Sequence, residues 1–477
     1  MILGTTLAAV AMAQESLPTG AASAWTSDDA IVVQARGLIA QGELKDAAAL
    51  VTANDDPKIP ARAEIADIVG RIRRDYTMTI AQFMDKAKNN IPDITAGDCD
   101  RWAKAGELTA RPIDGQLMIF SSEPSNLFKL SEEARNRRVN WTDKKSFDLV
   151  SHLAKLVDQA DKTHERYVMP IQHHVTYTLT VPGNQEGAKA GSLLRVWLPF
   201  PQEYARQRDV KLISSSPENP LIAPSKDETQ RTVYFEKHLE DPAKDSVFKI
   251  NFQYTCYADV PQLSDDQAKP LSMDFPKKYL EERPPHIMFT PKVRQLVAQI
   301  VGKETNPLAK ARKLWDWETT NIRYAFEDEY STIASFSGKC LSLNKGDCGI
   351  QGTTFITLAR AAGIPARWQS GWQTKPGEAG MHDWCEIYIE PWGWIVIDPS
   401  YGKQKSSNEK IHEFYLGHQD NYRMVVNFDY GRELTPPKPS LRSEPADFQR
   451  GEVELDGRNL YFDKWDYNIQ VTHTPVE

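Results

Sequence analysis

The chain has 477 residues and a mass of 54.0 kDa, too much for one ordinary core, so two to four domains are expected. Its 40% hydrophobic and 26% charged residues, with a mean hydropathy of −0.52, read as a soluble globular protein and exclude wholesale disorder. A net charge of −8 and a pI near 5.8 repel nucleic acid and anionic lipid, and no basic stripe in the sequence reverses this, so no nucleic-acid partner is expected.

Residues 1–13 (MILGTTLAAVAMA) form a short apolar stretch ending in Ala11-Met12-Ala13, which fits a small-residue cleavage site, although no Lys or Arg precedes it. We read it as a signal peptide and expect an exported protein, periplasmic or extracellular. No later stretch approaches the roughly 20 apolar residues of a membrane span. Cys99, Cys256, Cys340, Cys348 and Cys385 are too few for a disulfide scaffold and odd in number. Without Cys-x-x-Cys pairs, a His-x-x-x-His or a dense acidic loop, neither metal nor other cofactor is expected.

Residues 14–166 read as mainly helical. In ARGLIAQGELKDAAALV, Leu38, Ile39, Leu44, Ala47, Ala48 and Val51 recur near helical spacing. That stretch resembles half of a tetratricopeptide hairpin, but no second copy follows, so a helical cap or docking region is expected. Between Gly97 and Phe120 the chain is richer in turns and ends in a strand-like segment, and a helix around Ser146–Arg166 leads onward. Over 167–261 the period changes to two, as in HVTYTLTV and FKINFQYTCYA, which predicts a β-sandwich-like domain. The polar, Pro-rich stretch 262–290 reads as a linker or a loop lying across the next unit.

The region 291–430 carries the chemistry. Leu314–Tyr324 reads as a helix running into a strand. After Cys348, apolar Ile350, Phe355, Leu358, Ala359 and Ala362 make one helix face, and Gly363 and Pro365 supply the stop. Cys348 therefore sits at a helix start, where the macrodipole favours a thiolate and backbone N–H groups await an oxyanion. The segment MHDWCEIYIEPWGWIVIDPSYG then alternates from His382 to Ile389, turns at Pro391-Trp392-Gly393, and alternates again to Asp398. This is a hairpin with His382 and Asp398 at the ends away from the turn. A thiol, an imidazole that takes its proton and a carboxylate that orients the imidazole make an activated nucleophile, so Cys348, His382 and Asp398 are the candidate catalytic residues.

Three blocks of sequence around these residues resemble the transglutaminase-like superfamily: Gly346-Asp347-Cys348 with LARAAGIPAR at 358–367, His382-Asp383-Trp384 with Glu386, and Gly393-Trp394 to Asp398-Pro399. The resemblance covers about 291–429. It implies an α+β, papain-like core, with a cysteine-bearing helix packed on an antiparallel sheet that carries the histidine and aspartate. It marks the chain as a multidomain member of bacterial type. Asp383 departs from the small residue many members carry there, and strand alternation turns it away from His382.

Cys340 and Cys385 are expected to be buried thiols, and His173, His174, His412 and His418 to be surface or structural groups. An indole from the Trp315–Tyr324 segment is a candidate oxyanion donor. The expected substrate is a peptide or protein amide. Release of the acyl group to water makes a peptidase or amidase, which we favour. Release to a lysine amine makes a cross-linking transglutaminase, and a non-catalytic binding module is the third reading. Residues 431–477, with Pro436, Pro437 and Pro439, form a C-terminal extension whose late strands pack on another domain.

Overall fold

The structure, a computed structural model, describes residues 23–142, 147–225, 229–272 and 275–476, so the apolar stretch at 1–13 lies outside the described residues. The N-terminal region begins with three helices, Ala30–Gln41, Leu44–Ala53 and Pro60–Asp75, whose Val32, Ala35, Leu44, Ala47, Ile65 and Val69 share one core. Gly42 ends the first in the left-handed conformation at φ 87°, and its close approach to the Pro112 carbonyl leaves no room for a Cβ. The mainly helical region also holds a small sheet. Strands Tyr76–Thr79, Ala110–Ile113 and Gln116–Phe120 form a three-stranded sheet with Gln116–Phe120 in its centre. The last is the strand-like segment expected to end at Phe120; short length and Pro112 hid the other two, and Asp114-Gly115 supplies the turn, both at positive φ.

After helix Leu149–Thr163, the long strand Tyr167–Val181 alternates, turning Ile171, His173, Val175, Tyr177, Leu179 and Val181 inward. It pairs with Ser246–Asp259, which pairs in turn with Gln207–Ser216. A second sheet is built on Leu193–Pro199 and Thr232–His238, and the two sheets bury Val175, Leu179, Trp197, Phe235 and Phe248 between them. The C-terminal extension completes both sheets. Glu452–Leu455 adds to Leu193–Pro199, and Asp466–Pro475 runs antiparallel along Tyr167–Val181.

The remaining unit is a central helix, Cys348–Ala361, against a five-stranded antiparallel sheet ordered Leu416–Gly417, Gly393–Ile397, Glu378–Ile389, Ala366–Lys375, Arg423–Asn427. Helices Pro291–Val301 and Pro307–Asn321, each opened by a side-chain cap and proline, cover its other side. Every residue of the central helix from Gly349 to Arg360 is buried, so the single apolar face expected from the sequence gives way to a helix enclosed all round. Thr354 and Thr357 are tolerated there because each hydroxyl donates to a carbonyl one turn back. Phe355 and Leu358 bring about 1.5–3 kcal/mol each by leaving water.

The segment 262–290 lies across this unit rather than hanging free: Lys269 bridges Glu390, and Phe275 packs on Tyr388 at 4.4 Å between ring centres. The N-terminal region clamps the loop before the central helix. Arg71 donates to Ser331 Oγ at 2.7 Å and the Ser443 carbonyl at 2.9 Å, and Asn126 bonds both backbone groups of Phe326. That loop carries Tyr330, which reaches the candidate site.

Candidate active site

Asp347 caps the central helix, its Oδ1 accepting from the Ile350 N–H at 3.1 Å, and Gly363 closes the far end at φ 80°. Cys348 is thereby fixed as the first helical residue. All five cysteines are free thiols; Cys99, Cys256, Cys340 and Cys385 are buried, and Cys348 alone is partly exposed.

Strand pairing settles what the sequence left open in the hairpin. Cys385 opposes Ile397, so the same register places Asp398 opposite Trp384 and diagonal to His382 two residues farther on. His382 Nε2 and Asp398 Oδ2 meet at 2.7 Å, both groups buried. Asp398 Oδ1 accepts from Ser400 Oγ at 3.0 Å and the Tyr401 N–H at 3.1 Å, while Tyr401 stacks obliquely on the imidazole at 4.9 Å. Burial opposes ionisation of Asp398, but the His382 contact and the Arg423 guanidinium win and hold it below the usual carboxylate range. Burial pulls His382 down; Asp398 resists this and Arg423 adds to it, which keeps the ring neutral. A neutral imidazole whose Nε2 serves Asp398 keeps Nδ1 as its free acceptor, while the hydrogen bond of the Cys348 sulfur goes to Asp383 and not to that nitrogen.

Arg423 escaped sequence reasoning. It lies fully buried on the edge strand, 3.2 Å from Asp398 Oδ2 and 3.1 Å from Asp420, with Tyr401 against its guanidinium at 4.3 Å. Nothing local marks an arginine in a strand as part of a site 25 residues upstream; only the sheet order brings it there.

Asp383 is the main surprise. Alternation does turn it away from the His382 ring, as expected, but that other face is the one covered by the start of the central helix. Asp383 Oδ2 lies 3.5 Å from Cys348 Sγ and 3.4 Å from Tyr330 Oη, and Oδ1 accepts from Gln449 Nε2 at 2.7 Å. Tyr330 donates to Asp347 Oδ1 at 2.8 Å and accepts the Gly349 N–H at 3.1 Å. A Cβ on Gly349 would come within 2.1 Å of that hydroxyl, so glycine is what lets the ring sit there. Gln449 belongs to the C-terminal extension and also donates to the His382 carbonyl at 2.9 Å.

These neighbours reverse one expectation. Burial, then the carboxyls of Asp383 and Asp347, push the Cys348 thiol well up, against the macrodipole that favours a thiolate. Burial and the Glu327 charge also raise Asp347, to about 7. Two further observations bear on the oxyanion. The Gly349 and Ile350 N–H groups serve Tyr330 and Asp347, so they do not await an oxyanion. The Trp315 indole lies in the core with Leu314 and Phe355, Trp317 is partly buried, and the segment also brings the Tyr324 phenol into the field of Cys348, Asp347 and Asp383.

Cys340 and Cys385 sit in the core as expected, and His173 is structural: its Nε2 meets the Asn421 carbonyl at 2.9 Å and its ring stacks on Tyr254. His418 bridges the carbonyls of Phe414 and Pro261. His412 Nδ1 meets the Gln404 carbonyl at 2.7 Å, and half-buried His174 faces Thr474 at 3.5 Å. Among the described residues no group of three or more His, Cys, Asp and Glu is arranged to hold a metal ion, and no helix is long and apolar enough to cross a membrane.

Residues 294–399 match the sequence model of the Transglutaminase-like superfamily, so the chain carries a transglutaminase-like core that includes Cys348, His382 and Asp398. It is similar to an uncharacterized protein of Haemophilus influenzae, 26% identical over 56% of this chain and 80% of the relative. Among solved structures it is similar to a candidate cysteine protease from Cytophaga hutchinsonii, at 16% identity and a TM-score of 0.44, covering 66% of this chain and 92% of that one. It is also similar to the periplasmic domain of TgpA from Pseudomonas aeruginosa, at 15% identity and a TM-score of 0.26, covering 57% and 98%.

Proposed function

We propose that the protein is a thiol-dependent acyl-transfer enzyme that hydrolyses peptide or protein amide bonds, with Cys348 as nucleophile, His382 as its base and Asp398 orienting that base. The observation that carries this reading is the 2.7 Å contact between His382 Nε2 and Asp398 Oδ2 on a core whose one partly exposed thiol starts the adjoining helix. The proton of Cys348 passes to His382 Nδ1, and the sulfur attacks the amide carbonyl carbon. As the C–N bond breaks, His382 returns that proton to the leaving amine, and a thioester remains. Water, deprotonated by the same imidazole, then attacks the thioester; the acid leaves and the thiol is restored. Asp398 stays ionised throughout and stabilises the imidazolium. We place the enzyme outside the cytoplasm on the signal-peptide-like sequence of residues 1–13.

The test has two arms. Iodoacetamide should alkylate Cys348 selectively, and Cys348→Ala should abolish turnover while the protein stays folded. Given a glutamine-containing peptide and a labelled primary amine, hydrolysis should exceed amine incorporation. The opposite ratio would assign a cross-linking transglutaminase instead, and absence of alkylation at any pH would leave a binding module.

A further inference from the structure

The carboxyl of Asp383 touches the sulfur that the proposed chemistry uses, yet the Cys-His-Asp mechanism gives it no task. Its surroundings decide what state it can hold. On Oδ1 it has a neutral amide, Gln449 Nε2 at 2.7 Å; on Oδ2 it has Cys348 Sγ at 3.5 Å and Tyr330 Oη at 3.4 Å. Tyr330 has one proton, and the nearer Asp347 Oδ1 at 2.8 Å takes it. The sulfur and Asp383 are thus left to settle a hydrogen bond between themselves.

Charge around the carboxyl is one-sided. From the helix start comes Asp347, from the C-terminal extension come Glu444 and Asp447, and Asp398 sits at the end of the next strand. The nearby cation, Arg450, is committed to Glu444 at 2.6 Å and to Glu329 at 3.2 Å. The other cation, Arg423, is held between Asp398 and Asp420. His382, on the same strand, has its Nε2 committed to Asp398 at 2.7 Å. The buried carboxyls of Asp383, Glu444 and Asp447, with the partly buried Asp347 beside them, disfavour one another's ionisation.

We propose that Asp383 is a further catalytic residue of this site: neutral, its carboxyl hydrogen-bonds the sulfur and supports the thiolate; ionised, it holds the thiol protonated, so the enzyme is tuned to acidic surroundings. The inference rests on Cys348 being the nucleophile. Two protons are involved. The sulfur proton moves to His382 Nδ1 on activation and leaves on the amine, and the sulfur is later reprotonated with the proton His382 takes from water, whereas the Asp383 proton stays on its oxygen, shared with the thiolate, and is neither consumed nor released in turnover. Burial, with the Asp447 and Asp347 charges, raises the Asp383 carboxyl well above the ordinary range, in keeping with a group neutral in mild acid. A thiolate formed beside an ionised Asp383 would place two like charges in contact, which is why loss of the carboxyl proton suppresses the nucleophile.

The experiment measures the rate of Cys348 alkylation by iodoacetamide, by mass spectrometry of the full chain, from pH 4.5 to 9.5. Asn at 383 mimics the neutral acid permanently. We expect Asp383→Asn to react at the wild-type rate near pH 5 and at least about tenfold faster near pH 9. Asp383→Ala, which cannot donate to sulfur, should lie below Asp383→Asn at every pH. Gln449→Leu removes a donor to the ionised form and should move the wild-type loss to higher pH. A ratio of Asn variant to wild type that does not change with pH overturns the proposal, because a merely structural role gives that result. If Cys348 is not alkylated in any of these proteins, the nucleophile assignment falls and takes this inference with it.

Discussion

Arg423 holds its guanidinium 3.2 Å from the Asp398 oxygen that also meets His382 Nε2 at 2.7 Å, so one carboxylate oxygen serves a base and a permanent cation together. The arrangement pins Asp398 in its ionised form and restrains the proton affinity of His382. It also commits a full buried charge to the fold.

Asp398→Asn keeps the shape and removes the charge. Without the carboxylate the imidazole loses its fixed tautomer and the imidazolium its counter-charge, so peptide hydrolysis should fall by about 10²–10⁴ in kcat. Steady-state kinetics checks this, and an unchanged kcat would remove Asp398 from the mechanism.

Arg423→Met tests the cation. The change strands Asp398 and Asp420 without their shared positive partner in a site closed to water. Truncating one member of such a buried group should destabilise by about 3–5 kcal/mol in urea unfolding. Any protein that stays folded should show a His382 that holds its proton to higher pH, since Arg423 lowers that affinity.

Gly349→Ala drives a methyl into the Tyr330 hydroxyl, for which only 2.1 Å is available. The ring must retreat and give up its bonds to Asp347 and the Gly349 N–H. We expect a loss of about 1–3 kcal/mol in stability, together with a changed alkylation rate at Cys348.

Stability should be greatest between about pH 4 and 5. Asp347 has a folded value near 7, raised by burial, against roughly 3.9 unfolded; its contribution is present below pH 4 and is lost as pH rises to 7. Glu452 runs the other way. Against burial, Lys438 at 2.9 Å and Arg442 at 2.8 Å hold it down to about 2, so its contribution is present above roughly pH 4.3 and is lost as pH falls through 2. Calorimetric midpoints from pH 2 to 9 should trace this maximum. Asp347→Asn, which keeps a helix cap, should flatten the alkaline side.

Short-range signals made much of the core legible. A capped helix beginning at Cys348 needs only Asp347 before it and Gly363 after it, and the hairpin needs only its alternation and the Pro391-Trp392-Gly393 turn. Of the small sheet in the N-terminal region only the strand ending at Phe120 was legible, because its partners, four residues long, are too short for a period to register.

What sequence alone determined here is the set of residue types and their local frames: a cysteine at a helix start, a histidine and an aspartate on two hairpin arms, and a carboxyl at 383 on the face opposite the histidine. Alternation names the face but not what covers it. Only the tertiary structure decided that the helix start covers that face, placing Asp383 against the sulfur, with Gln449, 66 residues away in sequence, behind it and Arg423 beside Asp398. Those placements are set by sheet order and by the return of the C-terminal extension. Both arise from burying apolar surface across long sequence separations, where no local pattern records the partner.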